Sequence, residues 1–496
     1  LISALLVRIF ANEAKGHGVP EVIEAVMIRG GVIRKRVVLI KALASSVTIA
    51  VGGAVGREGP IVQIGSAAAS WIGQLFNLKN NELKILVGCG TAGAIAAIFN
   101  TPIAGVFFAI ELIVLELRSK ALVPLIISSV IATVISRIHL GNFPAFIIPQ
   151  YNMVHPVELI FYLGLGIACA VVGAITIKSL YGIEDFFDKW KIPFYMKAII
   201  GGLFIGLCAH YFPQIMGVGY ETIEDVLKEN IDVKVIGLLI ILKILATSIT
   251  IGAGGSGGVF APSLFIGAMT GGAFGIMMKY FFPEVTGGYG AYALVGMAAT
   301  FAATSRATLT AIVILFELTL QYSLILPIMF ACIIADLTVH ILTKENTIYS
   351  LKLIKRGISF IEGFGVNILK TTPAKNIMNT DIESLNDSIS VEDAYTLIEQ
   401  STHSIYPVIN QSGILMGMIS FKEIIKARDN DKSSLKINAL MDGVTCTVYE
   451  NQSAYTALKK IQKVHDMRCF VVNSNNNKLL GVICPFDIVQ FSSKYM

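Results

Sequence analysis

Two glycine-rich phrases in this chain could hold a negative ion without a formal cation. They are Gly56-Arg57-Glu58-Gly59-Pro60 and Gly257-Gly258-Val259-Phe260-Ala261-Pro262, and each opens an apolar run that reads as a helix. The first turn of a helix carries unpaired backbone N–H groups and about half a unit of positive charge, which suits an anion. Pro60 fits that first turn, where its missing N–H costs nothing. Glycines let bare backbone approach the ion. Glu58 adds an ionisable group at one of these starts, and a carboxylate competes with an anion for the same donors. An ionised carboxylate at the centre of a bilayer costs at least about 2.5–3.5 kcal/mol, so its placement there implies a function. The bland alternative is an ion pair between Glu58 and its neighbour Arg57 on a surface loop. Two such starts in separate halves of a membrane protein are what an anion pathway requires.

The elements that position these residues must lie in a membrane. The 496 residues are 54% hydrophobic and 15% charged, with a mean hydropathy of +0.70. Those values suit a multi-pass membrane protein with a soluble appendage. The net charge of +5 makes no case for nucleic acid. The seven cysteines stand singly, without metal-ligand spacing, and read as small packing residues in a reducing compartment. No nucleophile–base set, metal cluster or Walker motif speaks for an enzyme. The chain opens on Leu1 inside an apolar stretch, and no signal peptide is legible.

Apolar blocks fall near 1–10, 37–55, 60–76, 84–115, 121–138, 157–180, 196–212, 234–251, 258–282, 290–316 and 324–343. Many are short or broken by Gly and Pro, which at membrane depth requires cover by protein or a water-filled cavity. Leu86-Val87-Gly88 returns as Leu294-Val295-Gly296, and Ile110-Glu111-Leu112 as Phe316-Glu317-Leu318. This weak symmetry implies two repeat halves built of broken and tilted helices, and leaves open whether they are inverted. Near residue 344 the character changes. A second repeat follows, in which helix-like stretches at 390–401 and 453–464 alternate with β-rich runs around Tyr406–Ile409, Gly417–Ser420, Cys469–Val472 and Gly481–Cys484. The expected fold is a multi-pass α-helical membrane protein plus a C-terminal α/β module. The basic cluster Arg29, Arg34, Lys35 and Arg36 and the charged tail are both expected on the cytosolic side.

At this point the chain resembles the CLC family of chloride channels and chloride/proton antiporters, carrying tandem CBS domains. Gly16-His17-Gly18-Val19-Pro20, Gly56–Pro60 and Gly258–Pro262 coincide with the family motifs in order, and Tyr349 falls where the family places its pore tyrosine. The expected boundaries are a transport domain over 1–350, a linker over 351–370, and CBS domains over 371–430 and 431–496. The resemblance implies a homodimer with one pore per subunit, in a plasma or inner membrane. It also implies that two membrane helices usually found upstream of Leu1 are absent from this chain, which is expected to be truncated at its N-terminus.

By this resemblance Glu58 is the gating glutamate. The anion is expected at Gly16, His17, Gly18, Val19, Gly56, Arg57, Gly59, Gly258, Val259, Phe260 and Tyr349. His17 departs from the Ser or Pro common there: either its ring N–H donates to the ion, or the ring turns away and only the Gly18–Val19 backbone serves. In antiporters of the family a proton-relay glutamate follows a structural one. Glu111 matches the structural residue, with Glu317 as its partner in the other half, but the relay position is Leu112, which carries no proton. The expectation is therefore passive, voltage-gated-channel-like chloride conduction gated by Glu58, with chloride/proton antiport as the alternative. A nucleotide-sensing regulatory protein with a membrane anchor is the reading from another class. In the CBS pair the family pattern for adenine nucleotides is kept in part by Ser420 with Glu423, and in part by Cys484 with Asp487. Ser420 and Asp487 are the candidate nucleotide contacts, a structural module the competing reading. No metal and no required cofactor are expected.

Overall fold

The computed structural model describes residues 1–115, 119–142, 146, 149–320, 322–343, 346–356, 360–361, 365–366, 369, 372–401, 403–444, 446–463 and 468–493. The chain divides into two units, Leu1–Leu353 and Ile354–Met496.

The first unit is helical: α1 Ile2–Phe10, α2 Val19–Ile28, α3 Arg36–Ala50, α4 Glu58–Leu75, α5 Asn80–Phe99, α6 Pro102–Phe108, α7 Ser119–Leu140, α8 Glu158–Lys189, α9 Phe194–Tyr211, α10 Tyr220–Leu227, α11 Val233–Gly252, α12 Phe260–Phe281, α13 Tyr289–Ser305, α14 Thr308–Thr319, α15 Ile325–Thr343 and α16 Ser350–Lys355. Among the described residues seven helices are long and apolar enough to cross a membrane. The apolar blocks 84–115 and 290–316 each contain two helices. They break where Asn100 and Arg306 take left-handed backbone at φ 60° and 58°. The chain then restarts as α6 and α14, and α6 runs on into a π-helical turn over Ala109–Val114. Apolar patterning cannot see such a break, because both sides of it are buried.

Helices α2 to α7 recur in order as α10 to α15. Small residues let paired helices meet backbone to backbone. A methyl added at Gly65 in α4 would stand 2.5 Å from the carbonyl oxygen of Gly90 in α5, and one at Gly267 in α12 would stand 2.4 Å from that of Gly296 in α13.

Equivalent segments of the two halves meet antiparallel, in two reciprocal contacts. Gly56 N–H donates to the Gly258 carbonyl at 2.8 Å and Gly258 N–H to the Gly56 carbonyl at 2.6 Å. Glu111, at the end of the α6 segment, accepts from the first N–H groups of α14, at Leu309 (3.0 Å) and Thr310 (2.8 Å), and from the Thr310 hydroxyl (2.5 Å). Glu317, at the end of α14, accepts from those of α6, at Ile103 (3.1 Å) and Ala104 (2.7 Å). Each helix end thus supplies the acceptor that the other helix start lacks.

The second unit contains two like folds. In each, a three-stranded sheet pairs its first strand parallel and its third antiparallel to the middle one. The strands are Leu385–Asn386, Ile405–Ile409 and Leu415–Ser420 in the first, and Thr447–Tyr449, Cys469–Val472 and Leu479–Ile483 in the second. Helices Val391–Ile398 and Phe421–Asp429 cover the first sheet's core, and Ala454–Ile461 and Pro485–Ser493 the second's. The expected linker includes most of α16 and a short antiparallel pairing of Phe360–Ile361 with Gly365–Val366.

Candidate functional site

Three glycine-rich segments converge inside the first unit. Gly16 bridges Ser256, and Gly56 bridges Gly258. A methyl on Gly59 would fall 2.1 Å from the His17 carbonyl oxygen, so nothing larger than hydrogen fits there. Gly18 caps α2 at φ 91°, a backbone that glycine adopts without strain. Val259 caps α12 and Phe260 is its first residue, both buried. The starts of α2, α4 and α12, and their free N–H groups, are thereby brought to one place.

Glu58 is the first residue of α4 and is 1% exposed. Its Oε1 accepts from the Tyr220 hydroxyl at 2.8 Å. Its Oε2 has no hydrogen-bond partner among the described residues. That oxygen lies 2.0 Å from where a Gly56 side chain would begin, so any side chain there would displace the carboxylate. The Ala261 backbone amide, in the first turn of α12, also faces the carboxylate. The carboxylate therefore occupies the ground between two helix starts.

Tyr349 is buried and within electrostatic range of Glu58. It precedes α16, and the adjacent Ile348 N–H is tied to the Thr304 carbonyl at 2.8 Å. The His17 ring lies 6.0 Å from that of Tyr349, centroid to centroid. His17 Nε2 stands 3.4 Å from the Tyr181 hydroxyl, which itself donates to the Ile348 carbonyl at 2.7 Å. One ring nitrogen thus faces Tyr181. The Arg57 side chain is exposed and lies over the Tyr220 ring at 5.6 Å. Its charge acts on the neighbouring Glu58 carboxylate, which is buried and bonded to Tyr220 rather than paired on a surface loop. Leu112 lies buried in the π-helical turn.

Two lysines absent from the sequence reading support this geometry. Lys41 in α3 is fully buried and donates to the carbonyls of Ala14 (3.0 Å) and Gly16 (2.7 Å). Lys243 in α11 is fully buried and donates to those of Ile215 and Gly217, both at 2.9 Å. Each lysine holds the loop that leads into a helix start, α2 in one half and α10 in the other. The signal was in the sequence. Gly217-Val218-Gly219 repeats Gly16-His17-Gly18, and each lysine stands fifteen residues before the glycine of its half, Gly56 or Gly258.

In the second unit, Ser420 and Asp487 stand at the starts of different helices, both engaged in capping. The Ser420 hydroxyl accepts from Glu423 N–H at 3.2 Å, and Glu423 Oε2 accepts from Ser420 N–H at 3.0 Å. In the second repeat Asp487 Oδ2 accepts from Cys484 N–H at 2.8 Å and from its thiol at 2.9 Å.

A membrane domain of two repeated halves whose helix starts converge on a buried carboxylate, followed by paired α/β repeats, defines an anion-transport protein with an α/β tail. The profile of the family described as voltage gated chloride channel matches residues 1–340, and that of the CBS domain matches 374–430 and 440–494. The chain belongs to the CLC family of anion transporters. It is 35% identical over 366 residues to an H(+)/Cl(-) exchange transporter ClcA of Vibrio parahaemolyticus, covering 71% of this chain and 78% of that one. It is 32% identical over 340 residues to a Ralstonia nicotianae protein provisionally named chloride channel protein ClcB-like, covering 68% of this chain and 79% of that one. Among solved structures it resembles a slow cyanobacterial Cl-/H+ antiporter, with TM-score 0.67, 27% identity, and coverage of 72% and 84% of the two chains. A eukaryotic CLC transporter shares the fold over 98% of this chain and 87% of its own, with TM-score 0.65 and 22% identity.

Proposed function

We propose that the protein exchanges chloride for protons across a membrane, and that Glu58 serves both ions. Ionised, it sits on the helix starts and closes the anion pathway. Protonated, it leaves them and carries the proton. The observation that carries this reading is the buried Glu58 carboxylate, seated against two helix starts with one oxygen unbonded. The exchange activity named for the Vibrio and cyanobacterial relatives supports it over the passive conduction first expected. One observation favours passive conduction as a second reading: Leu112 at the relay position offers no proton carrier. An exchanger must then bring protons to Glu58 by another route, such as water.

The rest of the assignment belongs to the same proposal. The anion lies between Tyr349 and the Val259–Phe260 backbone, where N–H groups and one hydroxyl bind without trapping. The protein works as a homodimer in the plasma or inner membrane, with its CBS pair in the cytosol. That pair is a stabilising module which binds adenine nucleotide weakly, because its acids already cap helices; calorimetric titration of the full chain with ATP checks this, and tight, Asp487-dependent binding would overturn it. The deciding measurement for transport uses the purified full chain in liposomes with chloride efflux and proton uptake recorded together. A chloride gradient is expected to drive protons uphill. Chloride loss without proton movement would establish the passive reading instead.

A further inference from the structure

We infer that Tyr220 is the residue that holds Glu58 in the anion pathway, and that it sets the acidity at which the pathway opens. The inference rests on the reading of Glu58 as the gate. Tyr220 comes from the opposite half of the molecule, 162 residues away in sequence, and its hydroxyl donates to Glu58 Oε1 at 2.8 Å. Its position is fixed from several sides. The loop before it turns through left-handed backbone at Gly217 (φ 52°) and Gly219 (φ 82°). Lys243 pins that loop at the Ile215 and Gly217 carbonyls. Phe146 packs edge-on against the ring at 5.2 Å, and the Arg57 guanidinium lies over it. A donor so held cannot follow Glu58 when the carboxylate swings away, so the bond exists only in the seated pose.

The duplicated architecture isolates this contact. Glu58 follows Gly56 by two residues as Phe260 follows Gly258, and Tyr220 follows Gly219 as Val19 follows Gly18. The scaffold lysine, the loop and the helix start are present in both halves, but the second pair of counterparts, Val19 and Phe260, is apolar. Tyr220 and Glu58 form the polar member of an otherwise symmetric pair. The charged or titratable groups that face Glu58 are Arg57 beside it in the chain, Tyr220 of α10, Lys243 of α11 and Tyr349 before α16. Tyr220 alone among them is hydrogen-bonded to the carboxylate.

Donation to an ionised carboxylate favours the seated, ionised form, so loss of the donor lets a weaker acid open the pathway. For a charge-assisted hydrogen bond the midpoint of flux against pH should move alkaline by about one to two units. The test measures anion efflux from liposomes as a function of pH for the unmodified full chain, Tyr220→Phe, Tyr220→Leu, Glu58→Gln and Glu58→Gln/Tyr220→Phe. The expected result is an alkaline shift in both Tyr220 variants, and no further change when Tyr220→Phe is added to Glu58→Gln, whose profile is flat. An unmoved midpoint in both Tyr220 variants overturns the inference, whether flux is unchanged or lowered at every pH as a purely structural residue would give. If Glu58→Gln still titrates, the gate reading falls first and this inference falls with it. If Glu58→Gln is flat while Tyr220→Phe and Tyr220→Leu keep the normal midpoint, only the role of Tyr220 is lost.

Discussion

The two halves of the membrane unit use one plan and differ where the chemistry lies. In both, a buried lysine holds a glycine loop, a helix starts at a glycine phrase, and a helix break is followed by a short helix ending in glutamate. Glu111 and Glu317 have equivalent work, since each caps the short helix of the other half. Glu58 and Phe260 have equivalent positions and different work. One is a carboxylate held by a hydroxyl from the other half, whereas the other is an aromatic ring packed between Phe99 at 5.2 Å and Phe301 at 4.4 Å. The symmetric features build the site and the unsymmetric residue gives it a direction. A carboxylate in both positions would place two like charges close together, and one of them would be driven to take up a proton.

The largest expected effect breaks the comparison at its unsymmetric member. Glu58→Gln mimics the protonated carboxylate, so anion flux should persist while coupled proton movement and pH dependence vanish in the liposome assay. Abolished flux, or flux that still titrates, would remove Glu58 from its role. The symmetric members come next. Glu111→Ala strands three donors of α14 and should lower stability by about 2–3 kcal/mol; Glu317→Ala strands two of α6 and should cost about 1–2 kcal/mol. Thermal unfolding in detergent measures both, and a reversed order would show that the caps are not equivalent.

The CBS repeats allow the same comparison on a smaller scale. Ser420 accepts from its helix and Glu423 reaches back to it, whereas Cys484 offers only a thiol that donates to Asp487. Ser420→Ala should therefore destabilise helix Phe421–Asp429 by about 1 kcal/mol, and Cys484→Ala should change helix Pro485–Ser493 by a few tenths at most, roughly the difference between a good cap and a poor one. Hydrogen exchange resolved by peptide reports each helix separately. The smallest effect concerns the thiol itself. Burial, and then the hydrogen bond to Asp487, raise the Cys484 pKa above the ordinary cysteine range. A raised pKa leaves less thiolate at any given pH, so alkylation at pH 8 should be slow and should climb only at higher pH. Asp487→Asn should speed it by a few-fold. Mass spectrometry of the labelled peptide checks this.

Much of the plan was legible in the sequence because it rests on local signals. Glycine phrases before Pro60 and Pro262, the echo of Leu86–Gly88 at Leu294–Gly296 and the change of character near residue 344 each fall within a few residues. The helix breaks at Asn100 and Arg306 were less legible, since a turn between two buried segments leaves the apolar pattern intact. Tyr220 and Lys243 escaped notice for another reason. Gly217-Val218-Gly219-Tyr220 lacks the proline that marks its counterpart, and the bond from Tyr220 to Glu58 joins residues 162 apart. Only the relation between the halves could have brought it forward, by matching Lys41 with Lys243 before matching the loops.

The reciprocal pairing of Gly56 with Gly258 has a consequence for how fast and how far the molecule moves. Two hydrogen bonds of 2.8 and 2.6 Å join the halves beside Glu58. Transporters that rock one half against the other must part such a seam in every cycle. Here the seam lies beside the carboxylate, and parting it would bare two amides and two carbonyls in a region with little water. The economical motion is the rotation of one side chain about its own bonds, with the backbone as a fixed frame. Transport of this kind should survive a cross-link between the halves near Gly56 and Gly258 that would arrest a rocking machine.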